Sequence, residues 1–181
     1  MRKGFVVAVL ILSAALITAF TSVQKYDVKL LRKQLVQALE KRSVNDSLYK
    51  VLGADKNKPP LIVSYYGAVQ ALKAKYTWNP YYKIKYIKDA ENTLQTAVNE
   101  EPHNMEIRFM RFSIEHNLPG FLGYDKHLDM DRKEMIQQLD KKNYPAADKD
   151  VAVTIIKFLL DSKRCTAQES ERLHKHLAEL K

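Results

Sequence analysis

The chain has 181 residues, with 30 Lys and Arg against 21 Asp and Glu, and a formal charge of +9 in which acids and bases are interleaved. That length is enough for one domain to bury a core that stands without staples, and the single cysteine, Cys165, excludes an internal disulfide. A moderate positive excess of this kind describes a solvated basic surface, or one drawn to an anionic surface such as lipid headgroups or polyanionic glycans.

In chain order, the first segment has a basic start at Arg2-Lys3. An apolar run from Phe5 to Ile17 follows, broken only by Ser13, and then small residues around Ala19-Phe20-Thr21. This is the form of a secretory signal peptide, and it is short for a membrane span, which needs ~20 apolar residues. It predicts a signal over residues 1–21 and one domain over 22–181, with a charge of about +7, periplasmic or secreted. That address disfavours ATP-driven and redox-cofactor chemistry and makes nucleic acid an unexpected partner. The membrane is then met only transiently, through the signal, unless the segment stays uncleaved as an anchor.

Apolar spacings of three and four run through the rest, and no stretch reads as a strand. Leu30, Leu31, Leu35 and Leu39 predict a helix over roughly 26–42. Val44, Leu48, Val51 and Leu52 predict a second, ended by Gly53 just past its last turn. After a polar linker from Asp55, Pro59-Pro60 opens a helix with the cleanest stripe in the chain: Ile62, Tyr65, Tyr66, Val69, Leu72 and Tyr76. Asn79 and Pro80 cap and start a helix with Ile84, Ile87, Ala90, Leu94, Ala97 and Val98 on one face, stopping at Pro102.

Asn104 caps the next helix, which runs to about Asn117, and a loop rich in breakers follows from Leu118 to Tyr124. Leu128, Met135, Ile136 and Leu139 mark a helix ended by Asn143-Tyr-Pro145, with Asp129 or Asp131 as its cap. Val151, Ile155, Phe158 and Leu159 mark an apolar helix. Thr166 with Glu169 forms a capping box before the last one, which turns Leu173, Leu177 and Leu180 inward.

About eight helices joined by short loops pack as antiparallel hairpins, so the fold expected is all-α. Leu35-Val-Gln-Ala-Leu-Glu40 and Ala68-Val-Gln-Ala-Leu-Lys73 match at an offset of 33, near the tetratricopeptide period of about 34. Ala90, Leu94, Ala97 and Pro102 suit the second helix of such a repeat, whereas Trp78 and Pro80 break the first-helix pattern. The expectation is an irregular tetratricopeptide-like stack of about seven or eight helices.

The block from Gly67-Ala-Val-Gln-Ala-Leu-Lys-Ala-Lys75 through Glu106-Ile-Arg-Phe-Met-Arg111 to Asn117-Leu-Pro and Gly123-Tyr124, with an acid near Asp131, resembles a family of small exported helical proteins from Bacteroidetes. The resemblance covers roughly residues 60–140. That family has no assigned activity, so it implies architecture and compartment, not chemistry.

Two constellations stand out. Tyr76, Trp78, Tyr81, Tyr82 and Tyr86 interleave with lysines, among them Lys83 and Lys88, in the densest aromatic and basic cluster of the chain. Such a cluster stacks on and attracts ligands, or simply covers the gap between two helices. In the helix from Met105, Arg108 and Arg111 stand among residues apolar almost all round. They call for a buried carboxylate, Asp129 or Asp131, or form a two-arginine clamp with Asp131 for a small oxyanion.

The run from Asp125 to Asp131 alternates oxygen ligands but has Met130 and Ile136 where a calcium loop needs Gly and Glu. His174 and His176 point to opposite sides of one helix. His103, His116 and His127 are scattered, and no zinc, nucleophile-elbow, phosphate-loop or paired-cysteine motif occurs. The sequence therefore predicts no metal and no cofactor. It predicts a non-enzymatic interaction module that binds a protein segment or envelope polymer through the Tyr76–Lys88 surface or the groove between helices. The alternative is an anion-binding protein or enzyme built on Arg108, Arg111 and Asp131 with His116 or His127.

Overall fold

The computed structural model describes residues 26–144 and 148–180, and local caps and prolines divide these described residues into eight α-helices. The expected signal peptide and Pro145 lie outside the described residues. α1 (Val28–Glu40) starts at Asp27, whose carboxylate accepts from the Leu30 amide at 3.0 Å. The extended residue Lys41 alone separates it from α2 (Arg42–Ala54). α3 (Pro60–Tyr76) opens on proline, and α4 (Pro80–Glu100) does the same behind Asn79, whose side chain accepts from the Tyr81 amide. Asn104 accepts from the amides of Glu106 and Ile107 at the head of α5 (Met105–Asn117).

A 3-10 turn at Gly120–Leu122 leads to α6 (Leu128–Asp140), and α7 (Lys149–Asp161) and α8 (Ala167–Leu180) follow. At the head of α8 the Thr166 amide donates to Glu169 at 2.8 Å and the Glu169 amide to Thr166 Oγ1 at 3.2 Å, a reciprocal box. The described residues contain no strand, so the fold is all-α.

Helices adjacent in sequence pack together from α1 to α6, and α7 packs on α8. The odd-numbered helices also touch in succession, α1 on α3, α3 on α5 and α5 on α7, so hairpins stack along one layer. One apolar cluster joins α1, α2 and α3 around Tyr65, Val69 and Leu52. A second joins α5 to α8 around Phe112, Met135, Ile155 and Leu173. α5 serves both: Met110 lies in the first, Met105 and Phe112 in the second, and Ile107 packs with Ala97 and Val98 of α4. This position between two cores is why α5 is apolar nearly all round.

Three local expectations fail for reasons set by neighbours. Gly53 lies inside α2, which runs on to Ala54; a Cβ there would stand 3.1 Å from the Tyr66 hydroxyl, so the glycine makes room for a ring. Neither Asp129 nor Asp131 caps α6. His127 holds the cap position, and Glu115 of α5 accepts from its backbone amide at 3.0 Å. Ile84, read as the first inward residue of α4, is 45 % exposed.

Candidate functional site

The α3–α4 hairpin is the closest helix pair in the fold because Gly67 meets Leu94. A Cβ on Gly67 would lie 2.7 Å from Leu94 Cγ, so the absent side chain is what lets the two backbones approach. α4 is the longest helix, at 21 residues, while its next neighbour α5 has 13. Arg111 of α5 meets Gln95 of α4, Nη1 to Oε1 at 2.7 Å, and α5 ends only two turns later. The head of α4 therefore stands beyond its packing partner. Every residue from Trp78 to Lys85 is exposed, with Trp78 at 94 % and Tyr81 at 71 %.

Behind this tip the tyrosines form a row across three helices. Tyr81 meets Tyr82 edge-on at 5.4 Å between ring centres; Tyr82 meets Tyr86 at 6.4 Å; Tyr86 meets Tyr49 of α2 at 6.2 Å; and Tyr49 meets Tyr66 of α3 at 5.7 Å. Lys73 sits 5.4 Å from the Tyr49 ring and 5.9 Å from the Tyr86 ring while pairing with Asp46 at 2.7 Å. Burial, and then Tyr49, push the Tyr66 hydroxyl up to about 12. At the tip, the bond to Asp89, and then its charge, raise the Lys85 ammonium.

The structure thus splits the predicted cluster. Trp78, Tyr81, Tyr82, Lys83 and Lys88 are exposed, whereas Tyr86 is half-buried in the row. Tyr76 turns away, its hydroxyl donating to the Ala38 carbonyl of α1 at 2.8 Å. Tyr49 and Tyr66 join the row unforeseen, and Lys73, one of the lysines interleaved with the cluster in sequence, lies against it. Tyr49 and Tyr86 lie on different helices, and only the register of α2 and α4 across α3 brings them together.

The arginine constellation is buried and internally matched. Asp131, fully buried, takes Arg111 Nε at 2.7 Å and Nη2 at 2.6 Å, and Arg108 Nη1 at 2.7 Å. Arg108 Nε donates to the Pro102 carbonyl at 2.8 Å. The Asp131 carboxylate lies where a bound oxyanion would lie. Glu106, on the same helix, is held by the Arg32 fork of α1 at 2.9 and 2.7 Å and by the Tyr65 hydroxyl, and Arg32 reaches on to Asp148 at 2.8 Å. Both networks join distant segments.

Four histidines bridge helices instead of standing alone. His103 contacts Glu134 at 2.8 Å, His127 contacts Glu115 at 2.5 Å, His176 contacts Asp140 at 2.7 Å, and His116 accepts from Arg164 at 2.9 Å. Burial, and then the Arg164 charge, lower the His116 pKa. Cys165 is half-buried, its thiol pushed up by burial and then by Glu169, which favours the unreactive protonated form.

A groove of about 830 Å³ runs between α6 and α8; on its wall Arg172 pairs with Asp140, and Asp129 and Glu169 pair with Arg132, while Lys126 and Lys133 make no ion pair among the described residues. Among the described residues, no three His, Cys, Asp or Glu side chains stand where they could hold a metal, and no helix is long and apolar enough to cross a membrane. Comparison with protein-family models, with curated proteins and with solved structures returns no match.

Proposed function

We propose that the protein is an exported, non-catalytic helical interaction module that holds a protein segment or an envelope component at the Trp78 end of the α3–α4 hairpin. The observation that carries this reading is the two-turn head of α4, exposed on all sides yet carrying an indole, two phenols and Ile84. Exposed apolar rings gathered on a rigid element are what a binding surface needs and what a solvated surface avoids. Asn79, Pro80 and the Tyr82–Tyr86 contact hold the tip in shape, so little ordering entropy is lost on contact. The signal-like sequence ahead of the domain supports export.

The test is capture of envelope components by the wild type and by Trp78→Ala and Tyr81→Ala. Each substitution should weaken capture by ~1–2 kcal/mol or more, with circular dichroism unchanged. Equal capture by all three would place the function elsewhere on the molecule.

A further inference from the structure

All four exposed aromatic residues among the described residues lie at one end of the stack: Trp78 in the turn between α3 and α4, Tyr81 and Tyr82 in the first turn of α4, and Phe121 between α5 and α6. The topology points these segments the same way, with the head of α4 reaching beyond the end of α5. α5 returns alongside α4, so its C-terminal turn faces the same way as the head of α4. The α1–α2 turn belongs to this end as well, since Lys75 Nζ donates to the Leu39 carbonyl at 2.6 Å and Tyr76 to that of Ala38. It adds Leu39, 47 % exposed. At the opposite end the exposed large apolar side chains are aliphatic, Val51 in the last turn of α2 and Leu30 in the first turn of α1, with no exposed ring.

The rings are not set in a groove. Trp78 is 94 % exposed and Phe121 87 %, so both project from turns with almost nothing beside them. The two main grooves among the described residues, between α6 and α8 and around Met105 and Tyr144, are lined by none of these rings. A planar interface, by contrast, touches several projecting turns at once. The side chains also have the chemistry of the headgroup layer. Indole and phenol rings settle where one side is apolar and the other wet, aliphatic Ile84 and Leu39 favour the acyl boundary, and lysines lie along it with their ammonium groups in water. Lys41, Lys83 and Lys88 at this end make no ion pair among the described residues, leaving local positive charge to complement a negative one.

We infer that this end docks on the surface of a bilayer rich in anionic lipid, with the α3–α4 and α5–α6 turns resting in the headgroup layer and no helix crossing it. The inference rests on the interaction-module reading and names the envelope component. It assigns membrane contact to the folded domain and gives the basic excess, read from sequence as open to lipid headgroups or polyanionic glycans, a place on the fold.

Trp78 is the single tryptophan of the chain, so its emission reports on this end alone. Insertion of the N-terminal segment by itself would leave that signal unmoved. The full chain is titrated with vesicles of phosphatidylcholine, with the same vesicles containing phosphatidylglycerol, and with soluble polyglutamate. The expected result is a blue shift, with quenching by brominated acyl chains, on the phosphatidylglycerol vesicles alone. The partition should weaken about fivefold in each of Lys83→Gln and Lys88→Gln, and further at high salt. A Trp78→Phe, Phe121→Trp chain, with the probe in the second turn, should shift on the same vesicles, and no shift there would overturn the two-turn contact. An unmoved Trp78 on vesicles that do sediment the chain would overturn the lipid surface as occupant. So would an equal shift with polyglutamate, and in both cases Trp78-dependent capture from the envelope would still stand.

Discussion

Asp131 has no exposure to solvent, yet it is a charged group on the first turn of α6. It is tolerated there because two guanidinium groups supply three hydrogen bonds, two of them from Arg111 in the planar fork that only arginine offers. Removing that fork strands a buried carboxylate. Arg111→Ala should therefore cost about 3–5 kcal/mol in chemical denaturation, and Arg108→Ala, which takes away one bond, distinctly less. Replacing Arg108 and Arg111 with Met together with Asp131 with Leu should recover most of the loss, because an apolar set of similar volume leaves none of the three charges buried without its partner. A sign prediction follows from His116. Its lowered pKa means that the folded state holds fewer protons than the unfolded chain, so its contribution is present above the ordinary histidine range and is lost as pH falls through the folded pKa. The wild type should lose slightly more stability than His116→Gln between neutral pH and about pH 5, an effect kept small by solvent screening.

Four helices, α1, α4, α5 and α8, start where their own residues say they should, because capping is local. Asp27, Asn79, Asn104 and the Thr166–Glu169 pair each bond to amides within three residues. The burial of α5 was legible for a similar reason: its apolar residues leave no polar stripe. What the sequence could not display is the register between helices. It misread Gly53 as a stop, when Tyr66 from another helix needs the space. It misread Asp129 and Asp131 as caps, when α5 supplies Glu115 from outside α6. The candidate site was half legible for that reason: the interleaving of Trp78, Tyr81 and Tyr82 with lysines is local, but Tyr49 enters through packing. The match between residues 35–40 and 68–73 also loses its meaning in space, since Val36 is 65 % exposed and its counterpart Val69 is fully buried. The tightest contact between elements gives a sharp expectation. Gly67→Ala should destabilise by about 1–3 kcal/mol, because Leu94 must leave its place or α3 and α4 must part. Thermal denaturation of Gly67→Ala alone and combined with Leu94→Ala tests the pair, and the combined variant should cost less than the sum of the two changes.

Over the whole molecule, the two apolar clusters are joined by α5 and fastened by one long-range clasp, Arg32 to Glu106 and Asp148. Arg32→Ala should cost ~1.5–3 kcal/mol, as expected for charged hydrogen bonds lost at a half-buried site, and should loosen α1 and the head of α7 together in hydrogen exchange. That clasp lies far from the Trp78 end, so its loss should leave binding by the intact fold unchanged. Charged and aromatic side chains are distributed differently: ionic networks run through the interior, while the exposed rings collect at one pole, at the head of α4 and in the Phe121 turn. The account therefore predicts that function resides at that pole. The most direct measurement is hydrogen exchange of the full chain with and without its own envelope membranes. Protection confined to residues 77–86 and 118–124, with α6 to α8 unchanged, is the result predicted; protection centred on the α6–α8 groove, with the Trp78 tip unaffected, would contradict it.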